Sequence, residues 1–249
     1  MTPNPILKVL STLTTHRVQY LLMGGQACVF YGAAEFSRDT DVVVLTSAEN
    51  LRRFRAALSD LQAECIAVPP FEAEYLQRGH AVHFRCRHPE ARGMRIDVMS
   101  VLRGVAPFEA LWGRRTTVEA EEEMDVELLA LADLVQAKKT QRDKDWPMIR
   151  RLVEANVRRH AEDPSPEQIA FWLRECRTPA ILMELAERYP RETAQAMRDR
   201  PLLALAGGDE AALAAALGDE EQHEREADRR YWAPLRAELE QLRRERRLP

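Results

Sequence analysis

A pair of glycines is the first feature of the sequence with the residue types of a phosphate site. Gly24 and Gly25 follow an apolar run, residues 18–23, and precede a predicted short helix over residues 26–31. Glycines between a strand and a helix let the backbone approach a phosphate, and the free N–H groups of the helix favour its negative charge. The same pattern also fits an ordinary turn. The glycine pair therefore indicates either a phosphate-binding turn or a simple chain reversal.

Two aspartates open the next apolar run. Asp39 and Asp41 stand at the start of residues 40–46, which we predict to form a buried strand. Because residues i and i+2 of a strand point to the same side, the two carboxylates are presented together. Their mutual repulsion is tolerable when a divalent cation sits between them. The alternative is that the pair is a solvated strand edge.

Asp97 lies in another predicted strand, residues 94–101, where it faces away from Met94, Ile96 and Val98. An unpaired acid buried in an apolar strand is costly, so a functional role is favoured. If this strand lies beside the one that begins with Asp39, three carboxylates converge at a sheet edge. No His or Cys is close in sequence, and hard oxygen ligands suit Mg²⁺ better than Zn²⁺. Two such ions would activate a hydroxyl and stabilise a leaving pyrophosphate.

The order of the glycine pair, Asp39-Thr40-Asp41 and Asp97 resembles the nucleotidyltransferase superfamily of the DNA polymerase β type. The most similar branch is the minimal nucleotidyltransferases, including those of abortive-infection and toxin–antitoxin systems. The resemblance covers roughly residues 5–150. It implies an enzyme that uses two Mg²⁺ ions to transfer a nucleoside monophosphate from an NTP to a hydroxyl.

The resemblance also implies roles for the individual residues. Gly24 and Gly25 would hold the triphosphate. Asp39 and Asp41 would bind both metal ions, and Asp97 would bind the catalytic ion and help to deprotonate the attacking hydroxyl. Thr40 departs from the hydrophobic residue that is usual between the two acids.

Basic residues elsewhere are candidates for the triphosphate. Residues 133–145 have a helical pattern that places Lys138, Arg142 and Asp145 on one face. A Lys and an Arg aimed at a triphosphate would neutralise it, and the spacing resembles a helix that follows the sheet in many nucleotidyltransferases. The alternative is a salt-bridged surface helix. Arg38, next to Asp39, either contacts phosphate or pairs with an acid.

The pattern of apolar residues predicts an α/β (α+β) fold, a mixed sheet flanked by helices, followed by an all-α region. We expect Ser47 to cap a helix that reaches about Leu61, and residues 81–87 to pair with residues 94–101. From Val126 onward the periodicity is interpreted as helical. Prolines in residues 163–166 stop one helix and start another. We therefore predict a nucleotidyltransferase-like domain over residues 1–160 and a helical domain over residues 161–249.

Composition limits the classes of function. The chain has 249 residues, of which 45 % are hydrophobic and 31 % charged, which excludes a disordered or collagen-like protein. The net charge of −4 argues against binding nucleic acid by bulk charge. The four cysteines have no C-x-x-C spacing, and no apolar run approaches the about 20 residues of a membrane helix. With no apolar leader in the first ten residues, we expect a cytoplasmic protein without a membrane partner.

Several alternatives stay open at this point. The acceptor of the nucleotide could be RNA such as tRNA, a protein or a small molecule. The competing hypothesis is a non-catalytic module of the same fold that senses nucleotides or binds a partner. The C-terminal helices are a candidate surface for a protein partner.

Overall fold

The computed structural model describes residues 4–120 and 124–247, which form two compact units. The first unit comprises the described residues within Met1–Phe30, Ala34–Ala137 and Tyr231–Pro249. The second comprises Tyr31–Ala33 and Lys138–Arg230. The predicted division at residue 160 does not coincide with these units, and as a statement about domains it stays a prediction. Among the described residues, no helix is long and apolar enough to cross a membrane.

The helices and strands alternate in the first unit, whereas the second unit is helical. The strands are β1 (Tyr20–Met23), β2 (Asp39–Val44), β3 (Glu64–Cys65), β4 (Val82–Arg85), β5 (Arg95–Met99), β6 (Thr116–Glu119) and β7 (Asp125–Leu128). The helices of the first unit are α1 (Pro5–Thr15), α2 (Gly24–Phe30), α3 (Ala48–Asp60), α4 (Ala73–Arg78), α5 (Phe108–Gly113) and α6 (Leu131–Ala137). The remaining helices are α7 (Asp145–His160), α8 (Pro166–Glu175), α9 (Pro179–Arg188), α10 (Pro190–Ala196) and α11 (Glu210–Arg247), with short 3₁₀ helices at Pro89–Ala91 and Pro201–Leu205.

Within the described residues, seven strands form one mixed sheet in the order β3-β4-β5-β2-β1-β7-β6. The centre of the sheet combines both directions: β2 runs parallel to β5 and antiparallel to β1. The mixed sheet, its flanking helices and the helical C-terminal region confirm the predicted fold class. The pairing of β4 with β5 also confirms the predicted pairing of residues 81–87 with residues 94–101.

The central strands are apolar because both faces of the sheet are covered there. Val42, Val43 and Val44 of β2 are fully buried. Ser47 caps α3 as predicted, since its side chain accepts a hydrogen bond from the Asn50 backbone N–H. The Asn50 side chain then donates to backbone carbonyls of residues 19 and 45, at 2.9 and 2.8 Å. These bonds anchor α3 to the sheet next to the ends of β1 and β2.

The helical interpretation from Val126 onward is wrong at its start. Val126 and Leu128 are buried and alternate with the more exposed Asp125 and Glu127, which is the period of a strand. These residues form β7, and the helix α6 starts only at Leu131. The leucines at 128, 129, 131 and 134 gave the segment an apparent helical spacing, although Leu128 ends β7 and Leu129 lies between β7 and α6.

The start of α8 confirms the predicted stop and start in residues 163–166. Helix α7 ends at His160, and Ser165 caps α8 with Pro166 at its first position. The Ser165 hydroxyl accepts from the Gln168 backbone N–H, and the Gln168 side chain accepts from the Ser165 N–H. This reciprocal pair is a capping box, which satisfies two backbone donors at the helix start.

Thr40 gives a prediction about stability. Its side chain is fully buried on the core side of β2, and its hydroxyl has no hydrogen-bond partner among the described residues. Thr40→Val should therefore raise the free energy of unfolding by about 1 kcal/mol, because an unsatisfied buried hydroxyl is replaced by a methyl group of similar size. Urea unfolding measures the difference.

Thr12→Val is the matched control, since the Thr12 hydroxyl donates to the Lys8 carbonyl at 2.7 Å and Thr12 is also buried. This control should lower the free energy of unfolding. A loss of stability in Thr40→Val of the same size as in Thr12→Val would contradict the expectation.

Candidate active site

Asp39, Asp41 and Asp97 lie on one face of the neighbouring strands β2 and β5. We call this the acid-bearing face. In the parallel pair β2–β5, Asp41 is opposite Asp97 and Asp39 is opposite Arg95. The residues between them, Thr40 and Ile96, are fully buried on the other face. The structure thus brings Asp39, Asp41 and Asp97 to one side of the sheet, as expected if these strands are neighbours, but on interior strands rather than at a sheet edge. Their roles as site residues stay predictions.

Gly24 is in close contact with this cluster. It directly follows β1, whose last residue, Met23, pairs with Asp41. Gly24 has φ +68°, and a Cβ placed on it would overlap the Asp41 carboxylate and lie 2.6 Å from the Asp41 Cβ. A side chain at position 24 is therefore excluded by both backbone conformation and space.

Gly25 lies beside the loop that leads to Asp39. A Cβ on Gly25 would be 2.7 Å from the Ser37 hydroxyl. The Ser37 hydroxyl in turn donates to the Asp39 backbone carbonyl at 3.2 Å. Both glycines belong to the first turn of α2, which begins two residues earlier than the sequence pattern predicted. The glycine pair thus allows α2 to start directly against the acid-bearing strand.

Asp97 has two partners that the sequence analysis did not assign to the site. Its Oδ1 lies 2.6 Å from Arg95 Nε and 2.9 Å from His83 Nδ1. Arg95 precedes it by two residues on β5, and His83 is its register partner on β4. Arg95 Nη2 also lies 3.1 Å from His83 Nδ1; that nitrogen donates to Asp97 Oδ1 when it carries the proton and accepts from Arg95 when it does not.

These contacts decide the charge of Asp97. Burial alone would raise the pKa of the Asp97 carboxyl, but the hydrogen bonds and charges of His83 and Arg95 outweigh it and lower that pKa. Burial lowers the pKa of the Arg95 guanidinium, whereas the Asp97 hydrogen bond and the charges of Asp97, Asp39 and Asp41 raise it more. Asp97 is therefore ionised, and Arg95 lies in the field of all three carboxylates.

The donor chemistry of the cluster fits a hard divalent cation, because all three acids offer carboxylate oxygens. As the side chains stand, no group of three or more His, Cys, Asp or Glu in residues 4–120 and 124–247 is arranged to hold a metal ion. Asp97 Oδ1 is instead occupied by Arg95 and His83.

The predicted helix over residues 133–145 is wrong. Helix α6 ends at Ala137 and α7 begins at Asp145, so Lys138 and Arg142 lie in the connecting segment. The two cations nevertheless meet at Asp145, whose carboxylate lies 3.4 Å from Lys138 Nζ and 2.8 Å from Arg142 Nε. Within the second unit they are therefore partners of a buried acid, and their predicted contact with a triphosphate stays a prediction.

Asp145 leads to a second prediction about stability. Burial raises the pKa of its carboxyl, but Lys138, Thr140 and Arg142 together lower that pKa below its usual value. Asp145→Asn should lower the free energy of unfolding near pH 7 by about 2–3 kcal/mol, because it leaves the buried Lys138 without its counter-charge. Chemical denaturation across a pH series measures this.

The difference in stability between wild type and Asp145→Asn should change with pH in one definite direction. A lowered folded-state pKa contributes stability above the unfolded pKa, and this contribution is lost as the pH falls through the folded value. The difference between wild type and Asp145→Asn should therefore be complete above pH about 5 and shrink below pH about 4. Asp143→Asn, at an exposed neighbour, should change stability little at any pH. A difference that is constant from pH 7 to pH 3 would contradict the assignment.

Arg38, the remaining predicted phosphate contact, is exposed directly before β2. Because it is exposed and next to Asp39 in the chain, a charged ligand can reach it from solvent. Its choice between phosphate and an acid partner stays open.

Comparisons with known proteins add little to this geometry. No family model and no curated protein matches the chain. Among solved structures, it is similar to one described as "Crystal structure of putative nucleotidyltransferase from H. pylori", with 12 % sequence identity and a TM-score of 0.39. The match covers 91 % of this chain and 94 % of that chain. At this identity and score the similarity assigns no function to the chain.

Proposed function

We propose that the chain is a Mg²⁺-dependent nucleotidyltransferase that moves a nucleoside monophosphate from an NTP to a hydroxyl. The observation that carries the proposal is the convergence of Asp39, Asp41 and Asp97 on one face of β2 and β5, with Gly24 against the Asp41 carboxylate. The order of these residues along the chain is also the order that resembles the DNA polymerase β-type superfamily. The geometry and the sequence motif therefore support the same chemistry.

The residues have distinct roles in this proposal. Asp39 and Asp41 would hold two Mg²⁺ ions, and Asp97 would hold the catalytic one and help to take the proton of the attacking hydroxyl. When bound, the ions lower the pKa of that hydroxyl and neutralise charge on the pyrophosphate that leaves. Gly24, Gly25 and Arg38 would contact the triphosphate. Because phosphoryl transfer needs little covalent help, positioning and electrostatics would supply most of the rate.

The acceptor and the biological setting are further parts of the proposal. RNA such as tRNA, a protein and a small molecule each present a hydroxyl that this site could use. The sequence resemblance to the abortive-infection and toxin–antitoxin branch favours a role in such a system, with a protein partner bound through the C-terminal helices. Light scattering of the chain with its genomic neighbour tests that partner, and a strict monomer in the mixture would count against it.

Label transfer tests the activity. The purified full-length chain is incubated with each α-labelled NTP, Mg²⁺ and a cell extract, and label is followed into RNA, protein and small-molecule fractions. We expect labelling of one fraction with one preferred nucleotide, and none when EDTA replaces Mg²⁺. Labelling that persists in EDTA, or no labelling in any fraction, would contradict metal-dependent transfer.

The second candidate is a non-catalytic module that senses nucleotides. The observation that favours it is that Arg95 and His83 already occupy Asp97 Oδ1, an oxygen that a metal ion would use. Calorimetric titration with NTP and Mg²⁺ separates the two candidates. Tight binding without label transfer would favour the sensor, whereas binding with transfer would favour the enzyme.

A further inference from the structure

The acid-bearing face contains its own cation. Arg95 lies opposite Asp39 on the neighbouring strand and donates to Asp97 at 2.6 Å. The side chain of Asp97 is only 16 % exposed, so its charge is poorly screened by water, whereas that of Arg95 is 38 % exposed and has room to move. Arg95 thus compensates charge where the proposed function requires metal ions.

We propose that Arg95 is a resident counter-ion that competes with the divalent cation for Asp97 and so weakens metal binding at the resting site. This inference rests on the proposed function. It adds that the Arg95–Asp97 ion pair controls when the site can bind the metal ion. A guanidinium and a metal ion are both positive, and both need the oxygens of the same carboxylate. Coordination of a metal ion by Asp97 Oδ1 therefore requires that the Arg95–Asp97 ion pair opens.

The neighbouring groups support exchange rather than a fixed structural ion pair. His83 contacts the same Asp97 oxygen from β4 at 2.9 Å, so Asp97 keeps a hydrogen-bond partner when Arg95 leaves. The guanidinium is linked to His83 and Asp97, and no other ion pair of Arg95 is present among residues 4–120 and 124–247. Release of Arg95 thus costs few contacts beyond the one that the cation replaces.

Metal affinity tests the inference directly. Mn²⁺, a paramagnetic stand-in for Mg²⁺, is titrated into the full chain and free Mn²⁺ is followed by electron paramagnetic resonance. Arg95→Gln should tighten Mn²⁺ binding about tenfold or more, because the competing charge and its charge-assisted hydrogen bond are removed. Arg95→Lys keeps a cation at this position and should stay within about threefold of wild type.

Arg85→Gln is the matched control, because Arg85 is the register partner of Arg95 on β4 and is exposed. It removes one positive charge from the same region without touching Asp97, and should tighten Mn²⁺ binding less than about threefold. Circular dichroism and thermal unfolding of each variant show whether it is folded. Equal tightening in the Arg85 and Arg95 variants, or no tightening in folded Arg95→Gln, would overturn the inference.

The outcome is separable from that of the proposed function. Label transfer by wild type together with unchanged Mn²⁺ affinity in Arg95→Gln would overturn only the inference that Arg95 is a counter-ion. Tighter Mn²⁺ binding in Arg95→Gln without label transfer by any variant would support the counter-ion role of Arg95 and contradict the proposed nucleotidyltransferase activity. Undetectable Mn²⁺ binding in all variants would overturn the inference that Arg95 competes with a divalent cation.

Discussion

Replacing Asp39 with asparagine is expected to lower nucleotidyl transfer at least about 100-fold, because even the outer partners of a metal site contribute up to that factor. The amide keeps the size of the side chain and removes its charge. Asp39 is the first residue of β2, half-buried on the acid-bearing face. Since one of three like charges is lost, the free energy of unfolding should not fall. Label transfer and urea unfolding of the same preparation measure both effects.

The matched control is Asp125→Asn, the same substitution at the first residue of β7 in the same sheet. Asp125 lies outside the acid-bearing strands, because β1 separates β7 from β2 in the sheet. Transfer by this control should equal that of wild type. If Asp39→Asn retained as much transfer as Asp125→Asn, this result would contradict the assignment of Asp39 as a metal ligand.

Gly24→Ala is expected to damage both stability and activity. An L residue at φ +68° costs about 1–2 kcal/mol, and the added Cβ also overlaps the Asp41 carboxylate. The carboxylate must therefore move, and a displacement on the order of 1 Å can cost about 100-fold in rate. We expect a loss of transfer of that size, together with weaker Mn²⁺ binding. Label transfer, Mn²⁺ titration and urea unfolding give the three values.

Gly93→Ala separates the effect of backbone strain from the effect of steric overlap with Asp41. Gly93 has φ +82°, and a Cβ there would meet nothing within 4 Å. This variant carries the backbone strain alone and should lose stability without losing transfer. If Gly24→Ala and Gly93→Ala lose the same stability and both keep transfer, the close approach of Gly24 to Asp41 has no role in positioning the carboxylate.

The part of the site that follows from local geometry could be predicted from the sequence. The period of two in a strand places Asp39 and Asp41 on one face, and alternation with Ile96 and Val98 places Asp97 opposite the core. The same rule applies to Arg95, two residues before Asp97. The alternation in β5 therefore also predicts that Arg95 lies on the same face as that carboxylate.

Other contacts depend on which strands pair and in what register. His83 reaches Asp97 because β4 pairs antiparallel with β5 in one register, and a shift by one residue would turn His83 to the other face. The sequence contains a histidine in a β-type run, which is more often structural than functional. Only the register makes it a partner of the site.

The connection between α6 and α7 shows the limit of helical periodicity. Lys138, Arg142 and Asp145 have the spacing of one helix face, yet Thr140 donates to the Asp145 carboxylate at 2.6 Å and its backbone N–H bonds to the Lys138 carbonyl. Side-chain bonds of this local kind compete with the helix. The same three residues therefore meet around a turn, in a geometry that the spacing alone does not distinguish.

The parallel pairing of β2 with β5 has a consequence for how the site comes into existence. Asp41 and Asp97 are adjacent in the sheet but are separated by α3, β3, α4 and β4 along the chain. Such a non-local contact closes a long loop, and the entropy cost of that closure makes its formation intrinsically slow. While the chain is being synthesised, the two acids of β2 emerge well before Asp97. The nascent protein thus carries an incomplete carboxylate cluster until β5 joins the sheet, and becomes competent only once this distant segment has docked.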